Sequence, residues 1–141
     1  MLLVNKPSGW TSFDVVQKIR NVSRAKKVGH AGTLDPLATG LLILCTGKFT
    51  KRIDEVQAQE KEYTGTITVG ATRPTYDMET EIDQTFAWEH ITPQMVQEVT
   101  QQFTGIIEQI PPSYSAIKIN GQRAYEKARE GKEVEIKPRS G

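Results

Sequence analysis

The chain has 141 residues, 37% hydrophobic and 25% charged, with no internal repeat or low-complexity tract, a composition that suits one ordinary globular domain. The longest strongly apolar run, Leu41-Leu42-Ile43-Leu44-Cys45, falls far short of the ~20 residues of a membrane helix, and no signal-peptide layout opens the chain, so a cytoplasmic protein without membrane attachment is expected. A single cysteine, Cys45, excludes an intrachain disulfide, and its apolar neighbours suggest a buried thiol.

Net charge is only +1, but it is unevenly spread. Residues 1–61 carry ten Lys/Arg against five Asp/Glu, residues 62–112 one against eight, and residues 113–141 seven against four. An acidic middle between two basic ends either gathers cations on one face, as a phosphate backbone would require, or merely solvates helix faces.

In chain order, Leu2-Leu3-Val4 breaks at Lys6-Pro7-Ser8-Gly9, which predicts a strand ending in a turn. Ser12 is placed to cap a helix whose buried stripe is Phe13, Val15, Val16, Ile19 and Val22 and whose polar face carries Lys18, Arg20 and Arg24. Val28 to Gly40 lacks a sustained period and reads as a loop. Leu41 to Cys45 follows as a buried strand or the start of a helix, and Phe49 to Val56 as a helix with cations at Lys48, Lys51 and Arg52. Lys61 to Val69 alternates, with Tyr63, Gly65, Ile67 and Val69 on one side and Thr64, Thr66 and Thr68 on the other, the strongest strand pattern of the chain.

Ala71 to Asp83 is acidic and aperiodic, a surface loop. Thr92-Pro93 supplies an N-cap and first helical residue, after which Met95, Val96, Val99 and Phe103 should face a core. Pro111-Pro112 enforces an extended entry to a strand over 114–119, Asn120-Gly121 a tight turn, then come a helix holding Ala124, Tyr125 and Ala128 and a last strand with Val134 and Ile136. Strands and helices mix without a regular alternating unit, which predicts an α+β fold.

The chemistry concentrates in Gly29-His30-Ala31-Gly32-Thr33-Leu34-Asp35-Pro36-Leu37-Ala38-Thr39-Gly40. Small residues there let a substrate approach the main chain, and Pro36 limits the wandering of the Asp35 carboxylate. A lone aspartate in such a loop is more often a turn residue or a helix cap than a positioned acid, and the residues by themselves leave both readings open. Other chemistries fail on spacing. Gly40 and Gly47-Lys48 are separated by six apolar-rich residues where a phosphate-binding loop needs four. His30 and His90 have no second ligand at metal spacing, so no metal site is expected. No second positioned carboxylate stands opposite Asp35 for glycoside hydrolysis, and no serine or cysteine has a supporting motif.

GHAGTLDPLATGLL, from Gly29 to Leu42, resembles the signature of TruB-type tRNA pseudouridine synthases, whose catalytic aspartate occupies the place of Asp35. Val4-Asn5-Lys6-Pro7-Ser8-Gly9-Trp10-Thr11-Ser12 is similar to that family's opening motif, Lys61-Glu62-Tyr63 to its tyrosine-bearing strand, Gly70 to Asp77 to its acidic loop, and PPSYSAIKINGQRAY, from Pro111 to Tyr125, to a further block. Five blocks in one order cover nearly the whole chain. The resemblance implies a mostly antiparallel mixed sheet with flanking helices, tRNA as partner, and isomerisation of uridine 55 in the T-arm without a cofactor, by a monomer.

It also implies roles for individual residues. Asp35 would start the glycosidic exchange, and Tyr63 would stack on a uridine flipped out of the RNA. His30 would approach the RNA loop near the vacated position. Gly32 and Thr33 would lie against the substrate, Tyr114 and Lys118 would line the site, and Lys6 with Pro7 would pack beneath the catalytic loop. Asp77 matches an acidic position near the cleft, where holding a loop is as good an account. Lys18, Arg20, Arg24, Lys26 and Lys27 are the natural phosphate contacts. Family members are about twice this length. The chain is therefore expected to be the N-terminal portion of a catalytic domain, with the remaining half, a small RNA-binding domain and a cation that pairs with the aspartate lying elsewhere, which leaves two readings: an active synthase, or an RNA-binding portion without turnover because the second half of the active site is missing.

Overall fold

A computed structural model describes residues 1–113 and, beyond them, the backbone of Lys118–Ile119, Gln122–Arg123 and Arg139–Ser140. It forms two compact units, Met1–Gly65 and Thr66–Gly141. The fold is α+β, and every strand pairing among the described residues is antiparallel.

The first unit is built on a three-stranded sheet of β1 (Leu2–Lys6), β2 (Val28–Ala31) and β3 (Gly40–Thr46), in the order β1-β3-β2. The central place of β3 accounts for much of its apolar sequence: it is paired on both edges and buried on the face of Leu42 and Leu44, while the other face is buried at Cys45 and leaves Leu41 exposed. Its partners are fixed residue by residue, with Val4 opposite Leu42 and Gly29 opposite Cys45. Because side chains alternate across a strand, Leu42 and Leu44 point to one face and Cys45 to the other. On the first face, Leu42, Leu44 and Val28 pack with Val15 and Val16 of helix α1 (Ser12–Ser23) to form the core. On the second, Ile53 reaches over Gly29, where an added Cβ would stand 2.7 Å from its Cδ1. Cys45 is fully buried, as its apolar setting suggested.

Three expectations for this unit change. Val28–Ala31 is a strand and only the following residues are loop, because Val28, Gly29, His30 and Ala31 find partners along the free edge of β3. Thr11, not Ser12, caps α1: its side chain accepts from the Asp14 amide at 3.0 Å while the Asp14 carboxylate accepts from the Thr11 amide at 2.8 Å, a complete capping box. Helix α1 also buries a narrower stripe than its pattern suggested, with Val15 and Val16 buried but Phe13 and Val22 exposed. After β3 the chain turns through a 3-10 helix (Gly47–Arg52) into the short α2 (Ile53–Gln57), so the helical reading of residues 49–56 stands.

The alternating stretch 61–69 forms no strand, although it has the best strand pattern in the sequence. A strand is held by a hydrogen-bonded neighbour, and among the described residues none lies beside it. Tyr63 is 70% and Ile67 92% exposed.

In the second unit, β4 (Ala71–Thr72) and β5 (Gln84–Thr85) pair across the acidic loop. That loop is tied internally: Thr72 Oγ1 donates to Asp83 at 2.6 Å, Arg73 donates to the Thr80 carbonyl, and Asp77 accepts from Thr75 Oγ1 at 2.6 Å and from the Glu79 amide at 2.9 Å. Helix α3 (Pro93–Gln101) begins as expected, with Thr92 accepting from the Met95 amide and Pro93 at its first position. Its apolar stripe is not a core stripe, since Met95, Val96, Val99 and Phe103 are all exposed among the described residues. Beyond it, β6 (Glu108–Gln109) pairs with β9 (Arg139–Ser140), and β7 (Lys118–Ile119) with β8 (Gln122–Arg123). Residues 114–117, 120–121 and 124–138 lie outside the described part, and with them the expected turn at Asn120-Gly121, the helix around Tyr125 and the strand at Val134 and Ile136.

Candidate functional site

Asp35 sits in the loop that joins β2 to β3, at the end of the sheet where β1 also ends. It opens a turn closed by the Ala38 amide on the Asp35 carbonyl at 3.0 Å, and its side chain is exposed. The residues on either side of it are fixed. Before it, Ser12 Oγ accepts from the Leu34 amide at 3.0 Å and donates to the Leu34 carbonyl at 3.2 Å. After it, the Pro36 carbonyl accepts from the Gly9 amide at 2.7 Å and from Lys6 Nζ at 3.1 Å, and Ser8 Oγ donates to the Leu37 carbonyl at 3.3 Å. An exposed carboxylate on a main chain held at both flanks is preorganised without being desolvated.

Lys6 is the centre of this arrangement. It follows Val4 on the inward face of β1 and is 0% exposed, with Nζ donating to the carbonyls of Pro7 (2.9 Å), Trp10 (2.6 Å) and Pro36 (3.1 Å). Three donors meet three acceptors, which is the condition for burying an ammonium. Gly9 supplies its amide from a φ of +83°, a left-handed conformation that a side chain would strain.

His30, half-buried on β2, approaches the Gly32 carbonyl through Nδ1 at 2.5 Å. A carbonyl only accepts, so Nδ1 carries the proton and Nε2 is left to face other partners. Next to it opens a cleft of about 680 Å³, lined by Gly32, Thr33 and Leu34 on one side and by Glu60, Lys61 and Tyr63 on the other. Lys61 donates to the carbonyls of Gln57 and Gln59, the latter at 2.9 Å, and its Cε comes within 3.9 Å of where a Cβ on Gly32 would lie.

The structure therefore brings Gly32, Thr33 and Tyr63 to one cleft, with Asp35 two residues along the same loop, His30 on the adjoining strand and Lys6 beneath. The basic residues divide. Lys18, Arg24, Lys26 and Lys27 are exposed. Arg20 is half-buried and folds back, with Nη1 3.4 Å from Gln17 Oε1, Nη2 3.5 Å from the Val28 carbonyl and Nε buried without a partner, so it is a poorer phosphate ligand than its neighbours. Tyr114 lies outside the described residues, and of Lys118 only the backbone, in β7, is described. Among the described residues Asp35 has no ion-pair partner, and no group of three or more His, Cys, Asp or Glu could hold a metal. No helix there is long and apolar enough to cross a membrane. Sequence reasoning missed Ser12 as a loop ligand, because its partner lies 22 residues away and neither the capping pattern nor the opening motif points to it.

Residues 20–141 match the family described as TruB family pseudouridylate synthase, N-terminal domain. A tRNA pseudouridine synthase B of Flavobacterium johnsoniae is 55% identical across 99% of this chain, and those of Parabacteroides distasonis and Bacteroides fragilis are 55% and 57% identical across the same share. The chain spans 62–64% of the length of these relatives. The stapled Asp35 loop thus stands in a chain that belongs to the TruB family of pseudouridylate synthases and matches its N-terminal domain.

Proposed function

We propose that the chain forms the catalytic N-terminal portion of a tRNA pseudouridine synthase that converts uridine 55 of the T-arm to pseudouridine. The observation that carries this reading is Asp35, exposed on a loop pinned at both flanks beside a cleft, in a chain whose relatives are named tRNA pseudouridine synthase B. The reaction breaks the N1–C1′ bond and forms C5–C1′, while C5 loses a proton and N1 gains one. Atoms and electrons balance within the substrate, so no cofactor or metal is called for.

A uridine in a folded loop must first leave its stack, at a cost of a few kcal/mol. The exposed ring of Tyr63, on the cleft wall, offers a face for the flipped base, worth ~1–3 kcal/mol. Gly32 and Thr33 leave the opposite wall low enough for the ribose to approach. Asp35 then initiates the exchange, by attack on the sugar or by taking a proton from it, and the cation that pairs with it comes from outside the described residues. His30 meets the RNA beside the vacated position, and Lys18, Arg24, Lys26 and Lys27 take phosphates. The enzyme acts as a monomer in the cytoplasm.

Position-resolved mapping of an unmodified tRNA transcript after incubation with the chain tests the substrate assignment. Pseudouridine should form at position 55 alone. Conversion of other uridines with position 55 intact contradicts it.

A further inference from the structure

Ser12 was expected to cap helix α1, and it does not. Thr11 holds that place, which leaves the Ser12 hydroxyl free at the first position of the helix. There it is 3% exposed, and its only ligands among the described residues are the two polar groups of one peptide residue, the amide and the carbonyl of Leu34. A hydroxyl that both accepts from and donates to the same residue fixes the orientation of that residue as well as its distance. Leu34 directly precedes Asp35, and its side chain packs against the core.

Resting on the function proposed above, we infer that Ser12 is a positioning residue: a two-point latch that joins the start of α1 to the residue before Asp35 and sets the direction in which the carboxylate leaves the main chain. The latch is rigid at its root, because Ser12 belongs to a helix closed by a full capping box, and Val15 and Val16 bury the next turn in the core. It is also distinct from the fastening after Asp35, which runs through Lys6 and Gly9 to Pro36. Removing the hydroxyl leaves the downstream fastening intact and frees the upstream one, so Asp35 stays in place but loses its aim. A loss of aim acts on the reaction step more than on RNA binding, since Lys61 and Tyr63 of the cleft and the exposed cations are untouched.

The test compares the unaltered chain with Ser12→Ala, Ser12→Thr and Asp35→Asn on an unmodified tRNA transcript, with amide exchange at Leu34 followed by NMR. Ser12→Ala should lower kcat roughly 10- to 100-fold with KM changed less than about twofold, and the Leu34 amide should exchange faster, having lost its acceptor. Ser12→Thr, which keeps the hydroxyl, should recover most of kcat and the slow exchange. An unchanged kcat in Ser12→Ala beside an inactive Asp35→Asn overturns the latch and leaves the proposed function standing. A fall confined to KM, or an unchanged Leu34 exchange rate, also overturns it. Full activity in Asp35→Asn instead overturns the functional reading on which the latch rests.

Discussion

Lys6 carries its ammonium into the interior, and the three carbonyls that receive it belong to residues 7, 10 and 36. Two are local and one crosses 30 residues to the Asp35 loop, so the side chain ties the turn after β1 to that loop. Lys6→Met keeps most of the bulk and strands all three acceptors, and should cost on the order of 3 kcal/mol in urea unfolding. A loss below about 1 kcal/mol would mean that water takes over the carbonyls. Asp35 and Lys6 were both legible in the sequence, through the resemblance of their motifs to a family signature. Read as residues alone, Asp35 could equally have been a turn residue, and it does open a turn at Ala38. The role of the Ser12 hydroxyl was not read, because a serine before a helical stripe signals a cap; the Thr11-x-x-Asp14 spacing of a capping box is the local signal that Thr11 fills that place, but nothing local points to Leu34.

At the level of elements, α1 owes its start to reciprocal bonds between Thr11 and Asp14. Thr11→Ala removes one of them and should cost about 1 kcal/mol. The bond from the Thr11 backbone amide, aided by the Thr11 hydroxyl, holds the Asp14 carboxyl below its usual value. A lowered folded value means that this stabilisation is complete above the unfolded carboxyl range and is lost as pH falls through the folded one. The Thr11 amide resonance should therefore move in acid at a lower pH than an unperturbed aspartate would give, and a titration at the ordinary aspartate value would contradict the cap. In the second unit, Gly70 has a φ of +90°, and a Cβ there would stand 2.6 Å from Trp88 Cδ1 and 3.2 Å from the Phe86 carbonyl. Gly70→Ala combines backbone strain with a ring clash and should lower stability by roughly 2 kcal/mol or more.

Elements were legible where pattern and partner coincide. The cap of α3 and the helical turn after Gly47 follow from local sequence, whereas the apolar run of β3 allowed a strand or the start of a helix until its two partners decided it. The stretch 61–69 has the alternation of a strand without a neighbour, and the stripe of α3 has the spacing of a core helix while remaining exposed. Periodicity states which face prefers burial; what covers that face is a property of the tertiary structure. The Val28–Ala31 strand was hidden for the converse reason, since glycine and alanine carry no strand signal and only the edge of β3 recruits them.

Over the whole molecule, a charge of +1 conceals a first unit rich in cations, with Lys18, Arg24, Lys26 and Lys27 exposed. If these meet phosphates, tRNA affinity falls linearly in a log–log plot against salt, with a slope of about 0.7–0.9 per contact. Replacing Lys26 and Lys27 together by glutamine should reduce that slope by about 1.5, whereas Arg20→Gln, whose guanidinium folds onto α1 and β2, should reduce it less than any single exposed lysine. Equal slopes for the two variants would place the RNA elsewhere.

The central claim is that the stapled loop presents Asp35 as the group that acts on uridine. Its most direct test is pseudouridine formation on an unmodified tRNA transcript by the 141-residue chain and by Asp35→Asn, at matched concentration and salt with RNA binding measured in parallel. The account predicts product from the first and none from the second while both bind alike. Silence from both chains with RNA binding retained would favour the reading of an RNA-binding portion without turnover, and product from the Asp35→Asn chain at a comparable rate would contradict the account.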